Sequence, residues 1–305
     1  MSEQATAAGF HPGELSVQRK AGLEDEAARL EGMLAPAHLS RGAEGFLAQR
    51  EFAAVTARAG DGTLWTAPLL GPAGFLEGFD TTLVVHTRPA DGDPLHELPA
   101  GQPAGLLAVE FATRRRLRVN GTVVAVGEGG FFLDVEQAYG NCPSYIQQRR
   151  LAIDPVRQPA HVERSDALTG AYRELIRRAD TFLLGTTHPT RGADTSHKGG
   201  EPGFVRVDGA DLWWPDYAGN NMFNSLGNIA SDPEASLLFV DFTTGSALQL
   251  TGTATLEWVT PGTAGEDDST GRRVRFHPEQ VISQTGLALH SSGVVPSPHN
   301  PHVTG

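Results

Sequence analysis

Residues 194–242 read DTSHKGGEPGFVRVDGADLWWPDYAGNNMFNSLGNIASDPEASLLFVDF, and this stretch decides the fold. It opens with a polar cluster, Thr195 to Lys198, ahead of two glycines. A turn at 215–221 leads into a short helix pattern from Met222 to Ser231, and a buried strand is predicted from Ser236 to Phe242. The rest of the chain is interpreted from this unit of polar cluster, turn, helix and strand.

The polar cluster and the helix start together have the chemistry of a phosphate cradle. Lys198 supplies a cation, Ser196 supplies a hydroxyl, and the first turn of the helix leaves backbone N–H groups free. These N–H groups and the positive end of the helix dipole favour an anion. The alternative is a polar turn followed by an ordinary capped helix.

Composition limits the class of protein. The chain has 305 residues and a net charge of -12, which fits two domains and disfavours a general nucleic-acid binder. Its one cysteine, Cys142, excludes an internal disulfide and a multi-cysteine metal site, and no metal is predicted. The absence of a long apolar run and of a signal-like N-terminus predicts a cytoplasmic protein without a membrane segment.

Periodicity predicts a β-rich chain after an N-terminal arm at 1–38. In the arm, Leu23 to Leu34 has helical spacing and Phe10 to Leu15 is expected to be irregular. His11 is interpreted as a surface histidine, with contact to a ligand as the alternative. A short helix at 43–49 follows. Strands are predicted at Phe52–Ala57, Thr63–Leu70, Thr82–Thr87, Gly105–Phe111, Arg116–Val126 and Phe131–Val135, spaced as in an antiparallel barrel or sandwich. A helix is predicted from Cys142 to Arg150. Arg149 and Arg150 are expected to be solvated helix-end residues, with contact to a phosphate or a substrate carboxylate as the alternative.

An internal repeat divides the chain in two. Four segments recur in order at a spacing of about 130 residues. The matches are Phe52–Ala57 with Phe182–Thr187, Gly71–Leu76 with Gly200–Val205, Gly105–Phe111 with Ser236–Phe242, and Asn120–Thr122 with Thr251–Thr253. The repeat predicts one barrel at 39–155, a second at 156–290 and a flexible tail at 291–305, with a linker near Pro155 to Glu163.

The second copy resembles the flavin-binding split barrels related to pyridoxamine 5'-phosphate oxidase. The segments that carry the resemblance are Ser196–Gly200, Pro202–Val205, Trp214–Tyr217, Gly219–Asn221 and Asn224–Asn228, with Leu117–Gly121 and Tyr139–Ile146 from the first copy. It extends over about Leu39 to Leu289. It implies a mainly β fold with short helices, and FMN bound between two barrels that each contribute residues.

The two copies have diverged at the expected cofactor positions. The first copy has Ala67, Pro68 and Leu69 where the second has Ser196, His197 and Lys198, and Asp93 and Pro94 where the second has Asn224 and Ser225. Conversely, the second copy has Ile282 to Gly286 in place of Tyr139 to Pro143. The hypothesis is an internal pseudo-dimer of two tandem barrels that keeps one composite FMN site.

The resemblance and this divergence together nominate the cofactor-binding residues. They are Ser196, His197, Lys198, Asp216, Tyr217, Asn220, Asn221, Ser225, Asn228, Tyr139, Asn141 and Cys142. Lys198 is the expected phosphate partner, because an ammonium with three donors suits a dianion. Cys142 is expected to pack or to lie near the flavin rather than to act as a nucleophile. The arginines at 114–116 are expected to form a solvated hairpin edge, with an anion patch as the alternative.

The predicted function is an FMN-dependent oxidoreductase acting on a small molecule, with NADH or NADPH as a candidate electron donor. No acid/base pair is evident, so no catalytic side chain is named. The alternatives are a non-catalytic flavin-binding or carrier protein, and a split barrel that binds deazaflavin or haem. Whether whole chains dimerise further is left open.

Overall fold

The computed structural model describes residues 9–35, 37–140, 142–154 and 160–304. Asn141 and most of the predicted linker, at 155–159, lie outside the described residues, as does the predicted boundary between the barrels. Within the described ranges, no helix is both long and apolar enough to cross a bilayer.

The first half of the chain forms one antiparallel sheet of seven strands. The strands run in the spatial order β2-β1-β5-β6-β7-β4-β3. They are β1 Phe52–Arg58, β2 Leu64–Leu70, β3 Leu76–Phe79, β4 Thr82–Val85, β5 Pro103–Glu110, β6 Arg115–Gly127 and β7 Gly130–Gly140. Every strand predicted in this half is present, within a few residues at each end.

The second half repeats the strand order of the first. The remaining strands are β8 Gln148–Ile153, β9 His161–Ser165, β10 Thr181–His188, β11 Gly192–Gly199, β12 Arg206–Asp208, β13 Asp211–Pro215, β14 Glu234–Asp241, β15 Ser246–Trp258, β16 Arg272–Thr285 and β17 Leu289–Val295. Their main sheet has the order β11-β10-β14-β15-β16-β13-β12, with β9 added beside β16. Because the two sheets follow the same path, they form two tandem copies of one split-barrel topology.

The helices are short. They are α1 Pro12–Ala21, α2 Glu24–Ala28, α3 Arg41–Ala48, α4 Gly170–Arg178 and α5 Asn224–Ser231, with single 3₁₀ turns at Glu31–Leu34 and Phe111–Thr113. The predicted fold class, mainly β with short helices in tandem split barrels, is confirmed.

The two barrels pack face to face through a shared apolar layer. Alternate side chains of β5 and β14 point either into their own barrel or toward the other barrel. Leu107 and Phe111 from the first half meet Leu183 and Leu238 from the second, and all four are almost fully buried. A polar contact crosses the same layer, where the Oγ1 atoms of Thr56 and Thr195 lie 2.6 Å apart. The two halves therefore form an internal pseudo-dimer.

The observed register corrects one of the repeat matches. Ala53 lies opposite Ala108 on β5, and Phe182 lies opposite Phe239 on β14. Ala53 and Phe182 both point into their own barrel, whereas Phe52 points into the shared layer. The counterpart of Phe182 is therefore Ala53 and not Phe52, because a slip of one residue reverses every side chain in a strand.

The prediction of a helix from Cys142 to Arg150 is wrong. A turn follows Cys142, and β8 then pairs with β17 near the far end of the chain. This long-range pairing overrides the local helical spacing. Arg149 is accordingly buried rather than solvated, and its Nη2 donates to both carboxylate oxygens of Asp180 at 2.5 and 2.6 Å. The same pairing places a strand at the start of the segment predicted as a flexible tail.

The N-terminal arm also differs from its prediction. Helix α1 begins at Pro12, within the segment expected to be irregular, and His11 caps it through a hydrogen bond from the Gly13 N–H. The predicted helix at 23–34 is split into α2 and a 3₁₀ turn. Helix α1 crosses α5 in backbone contact, since a Cβ on Gly13 would lie 2.3 Å from the Gly227 carbonyl oxygen. His11 is buried by this crossing and is not a surface histidine.

Candidate functional site

A cleft lies between the two barrels and is lined by residues from both. The first barrel contributes Arg116 and Arg118 from β6 and the segment from Cys142 to Tyr145. The second contributes the end of β11, the turn after β13 and the start of α5. The volume of this half-open cleft is about 120 Å³.

Most of the predicted cofactor-binding residues line this cleft. They are Ser196, His197, Lys198, Asp216, Tyr217, Asn220, Asn221, Ser225 and Cys142. Tyr139 and Asn228 instead line a smaller adjoining pocket. Asn141 lies outside the described residues. The structure therefore brings together the polar cluster of β11 and the segment after β7, which are far apart in sequence.

Lys198 reaches the cleft from the end of β11 in an ion pair. Its Nζ lies 3.4 Å from Oδ1 of Asp216, whose Oδ2 accepts a hydrogen bond from Nε of Arg272 at 3.0 Å. The Lys198 side chain remains 23% exposed. Asp216 thus holds the Lys198 ammonium at the cleft wall through one carboxylate oxygen, and Arg272 pairs with the other oxygen.

The start of α5 is aimed at the cleft by an unusual turn. Asn221 and Phe223 both have a φ of 59°, a left-handed conformation that is uncommon for residues other than glycine. Asn220 supports the turn, because its Oδ1 accepts a hydrogen bond from the Met222 N–H at 3.2 Å. Ser225 then donates to Oγ of Ser196 at 2.9 Å, which joins the helix start to β11. The hydroxyls and the free helix N–H groups therefore lie side by side.

His197 has the most unusual environment in the cleft. Its side chain is buried, and neither ring nitrogen has a hydrogen-bond partner within the described part of the chain. Burial holds the pKa of the His197 imidazole well below its usual range, and the nearby cations Arg116, Arg149 and Lys198 lower it further. The ring is therefore neutral, and its one donor and one acceptor nitrogen both lack a hydrogen-bond partner among the described residues.

Arg116 and Arg118 line the cleft but were not predicted as site residues. Arg116 donates to the carbonyl oxygens of Cys142 at 2.7 Å and His197 at 3.3 Å. Burial, together with Arg118, lowers the pKa of Arg116 to about 10. Arg118 pairs with Asp194 at 3.1 Å. The expectation of a solvated hairpin edge is wrong for Arg116, and the available signal was the alternation R-L-R, which places both arginines on one face of a strand.

Aromatic side chains complete the wall. Tyr145 of the first barrel donates its hydroxyl to the carbonyl of Ala218 at 2.6 Å, and its ring lies 5.0 Å from that of Tyr217. Trp214 is buried, and its indole N–H has no partner among the described residues. The cleft thus combines three cations, a neutral histidine and flat aromatic surfaces.

The adjoining pocket lies under α1. Nε2 of His11 donates to Oδ1 of Asn228 at 3.0 Å, and the rings of His11 and His188 lie 4.0 Å apart. Glu14 accepts hydrogen bonds from the backbone of His11 and from the side chain of Asn224. Burial raises the pKa of Glu14 to about 7, and burial lowers the pKa of His11 to about 4. Asn224 connects this pocket to the cleft, since it lines both.

The pseudo-symmetric position in the other half of the molecule is filled. On the cleft side, Arg118 of β6 contacts Asn224, at 3.4 Å. On the opposite side, the matching residue of β15, Gln249, donates to Asp93 at 2.6 Å. Three side chains, Leu95, Leu98 and Ile282, pack there into the core of the first barrel.

A comparison with known protein families finds a match in the second barrel. Residues 168–269, about a third of the chain, match the family model described as pyridoxamine 5'-phosphate oxidase. The second barrel is similar to the pyridoxamine 5'-phosphate oxidase family over these residues. No curated protein matches the chain.

Solved structures with similar folds are each about the size of one barrel. HupZ from Group A Streptococcus has 15% identity and a TM-score of 0.30, covering 37% of this chain and 90% of that one. A protein from Lactobacillus delbrueckii described as a pyridoxamine 5'-phosphate oxidase has 16% identity and a TM-score of 0.32, with 38% and 94% coverage. The FAD binding protein of Mycobacterium smegmatis has 12% identity and a TM-score of 0.26, with 41% and 97% coverage.

Proposed function

We propose that the cleft binds FMN and that the protein is an FMN-dependent oxidoreductase acting on a small molecule. The observation that carries the proposal is the convergence of unsatisfied polar atoms on one cleft. Nε of Arg116, both ring nitrogens of His197 and Nε1 of Trp214 are buried without a partner among the described residues, and all three residues are among those that line the cleft. Buried polar groups are rarely left unpaired, so such a cluster favours a ligand that pairs them.

The charge of the cleft fits an anionic cofactor. Arg116, Arg118 and Lys198 line it, and Asp216 is the one carboxylate among the lining residues. The phosphate would be held by Lys198, the hydroxyls of Ser196 and Ser225, and the first N–H groups of α5. The cleft volume of 120 Å³ is smaller than the roughly 300 Å³ or more of typical ligand pockets. A flavin would therefore bind with part of its surface in the open mouth of the cleft.

The remaining residues suit a heteroaromatic ring. His197 offers one donor and one acceptor, Trp214 offers a donor, and Tyr145 and Tyr217 offer flat apolar faces. A bound flavin would supply the hydride and electron transfer, while these residues would bind it, orient it and exclude water. No side chain is assigned as the catalyst.

A single cofactor per chain follows from the asymmetry of the two halves. The counterpart of the cleft has Ala67, Pro68 and Leu69 on β2 in place of the hydroxyl, imidazole and ammonium of β11. Its interior is filled by Ile282 and neighbouring leucines. We therefore expect one composite site, with the phosphate cradle from the second barrel and Arg116, Arg118 and Tyr145 from the first.

The test is a titration of the full chain with FMN, followed by absorbance and by quenching of flavin fluorescence. We expect saturation at one equivalent per chain and reduction of the bound flavin by NADH or NADPH. Lys198→Ala should weaken binding about tenfold or more, as expected for loss of a charged hydrogen bond. Lys20→Ala is the matched control, because Lys20 is the other lysine of the chain and lies over Trp258, away from the cleft.

Each failure has a separate meaning. Two equivalents of FMN per chain would contradict the single composite site. Tight binding without reduction or turnover would favour a non-catalytic flavin-binding or carrier protein. Absence of FMN binding would remove the oxidoreductase proposal and leave the fold unaffected.

His197 supports haem as the second candidate cofactor. Its imidazole is neutral, unpartnered among the described residues and placed in the cleft, and a neutral imidazole is the form that ligates haem iron. A Soret band on adding haem, abolished by His197→Leu, would favour this candidate over a flavin. The same spectra recorded with deazaflavin would test the third cofactor class.

A further inference from the structure

We infer that the N-terminal arm is a third component of the cofactor site, and that Glu14 of α1 positions Asn224 at the cleft wall. Glu14 is not among the residues that line the cleft, so it acts as a positioning residue and not as a ligand-binding one. The inference rests on the proposed function, because it adds a residue from outside both barrels to the same site. Helix α1 precedes the first repeated segment, which begins near residue 52.

Helix α1 is seated directly on the backbone of α5. The crossing depends on two glycines, Gly13 and Gly227. A Cβ on Gly227 would lie 2.6 Å from the backbone nitrogen of Glu14, which is closer than a real Cβ can approach. Because neither crossing residue has a side chain, the backbone of Glu14 lies against the first turns of α5. The Glu14 side chain therefore reaches the residue at which α5 begins.

That residue, Asn224, is held from two sides. Its Nδ2 donates to Oε1 of Glu14, and its Oδ1 accepts a hydrogen bond from Nη1 of Arg118 at 3.4 Å. An arginine can only donate, so Oδ1 of Asn224 must face Arg118 and Nδ2 must face Glu14. Glu14 is itself fixed, since its Oε2 accepts from the backbone N–H of His11 at 2.8 Å. Glu14 thus sets the orientation of the Asn224 amide.

Arg118 is the other end of this chain of contacts. Like Asn224, it is among the residues that line the cleft. It donates to the hydroxyl of Tyr139 at 2.9 Å and pairs with Asp194 at 3.1 Å. Its Nε is buried without a partner among the described residues. Because Asn224 joins Glu14 to Arg118, a displacement of Asn224 alters two residues of the cleft wall together.

The arm also fills the space between the two barrels beside this chain of contacts. Phe10 and Leu34 of the arm lie in one apolar cluster. The same cluster contains Tyr139 from the first barrel and Met222 from the segment before α5. The side chain of Glu14 is only 5% exposed. A hydrogen bond shielded from water in this way holds its geometry more firmly than an exposed one.

Titrations of the full chain with FMN test the role of Glu14. Glu14→Leu removes the acceptor for Asn224 and should weaken FMN binding about tenfold, the loss expected for one buried hydrogen bond. Glu14→Gln keeps an oxygen acceptor at the same position and should restore the affinity to within about twofold of the wild type. Quenching of flavin fluorescence measures the three affinities.

The matched control is Gln18→Leu on the same helix. Gln18 is buried and donates to the carbonyl of Met222 at 3.2 Å, but it is not among the residues that line the cleft. Its loss should lower the free energy of unfolding without weakening FMN binding. The comparison separates the positioning of Asn224 from the general docking of α1.

A second measurement needs no cofactor. Hydrogen exchange of the Asn224 side-chain amide is followed by NMR on the cofactor-free chain, with the signal assigned by its loss in Asn224→Asp. We expect exchange about tenfold faster in Glu14→Leu, because the amide loses its buried acceptor. Glu14→Gln and Gln18→Leu should exchange at the wild-type rate.

FMN binding by Glu14→Leu at the wild-type affinity would overturn the inference. Equal weakening by Gln18→Leu, or no recovery in Glu14→Gln, would also overturn it. If the wild type binds no FMN while the amide exchange responds to Glu14→Leu alone, the proposed function fails and the positioning of Asn224 stands. If neither FMN binding nor a change in exchange is seen, both fail.

Discussion

The two sides of the pseudo-twofold axis use the same backbone positions for different purposes. On one side, Arg118 contacts Asn224, beside a polar cleft with unsatisfied donors. On the other, Gln249 contacts Asp93, among leucine and isoleucine side chains. A duplicated interface contains two equivalent cavities at the outset. Here one cavity has kept polar side chains that face no partner among the described residues, and the other has been filled. Both sides hold buried polar atoms without a partner among the described residues, Oε1 of Gln249 included. The two sides differ in their surroundings, because those of the cleft side belong to residues that line an open cavity and Gln249 lies among leucine and isoleucine side chains.

The largest expected loss in the free energy of unfolding comes from removing Arg118, the cation on the cleft side, which is called the polar side below. Arg118→Met leaves the buried Asp194 without its ion-pair partner, and breaking a buried pair typically costs about 3–5 kcal/mol. Gln249→Met on the filled side removes one neutral donor from Asp93, a loss of about 1–2 kcal/mol. Urea unfolding monitored by tryptophan fluorescence measures both free energies. Equal losses would mean that the two sides do not differ in how they hold buried charge.

The second prediction concerns pH and the residues behind Asn224. The pKa of Glu14 is raised from 4.5 to about 7, so the folded state holds a proton more tightly and loses stability as pH rises toward 7. The pKa of His11 is lowered from 6.5 to about 4, so the folded state loses stability as pH falls below 6.5. Each shift corresponds to about 3 kcal/mol, and the two oppose each other between pH 4.5 and 6.5. The wild type should therefore show a nearly level free energy of unfolding across that range.

In Glu14→Gln, the protonation of His11 should affect the free energy of unfolding without the opposing effect of Glu14. Its free energy of unfolding should rise by about 3 kcal/mol between pH 4 and 6.5, where the wild type stays level. Chemical denaturation at half-unit pH steps measures both curves. The interpretation is wrong if the variant and the wild type have parallel curves. His11→Gln is the converse control, because its stability should instead fall as pH rises through the range.

Local patterns in the sequence were sufficient for most strands of the first sheet, for β14 of the second and for half of the cleft. Alternating apolar residues predicted β5 and β14 in the correct relative register, because Leu107 and Leu238 both face the shared layer. The polar cluster on β11 and the helix start were predicted because they are adjacent in the chain. These features depend on neighbours in sequence, which periodicity can detect.

The features that the sequence analysis missed depend on contacts between distant segments. The strand β8 forms because β17 pairs with it from the end of the chain. Arg116 lies in the cleft and not at a solvated hairpin edge, because its guanidinium donates to the carbonyl oxygens of Cys142 and His197. His11 is buried because α1 crosses α5 at Gly13 and Gly227, where a side chain on either residue would clash. No local pattern predicts the pairing of β8 with β17 or the crossing of α1 and α5, and the alternation of arginines at 116 and 118 indicates only that the two share one face of a strand.

The smallest effect on stability, and the most specific on binding, is expected for His197→Leu. Because both ring nitrogens are buried without a partner among the described residues, replacing the ring with an apolar side chain removes no protein hydrogen bond. It removes a desolvation penalty instead, so the free energy of unfolding should be unchanged or raised by up to about 1 kcal/mol. FMN affinity should nevertheless fall about tenfold, since the ligand loses a buried hydrogen bond. Paired denaturation and FMN titrations separate the two quantities. A loss of stability without a loss of affinity would show that His197 serves the protein and not the ligand, and the polar side would then differ from the filled side in packing alone.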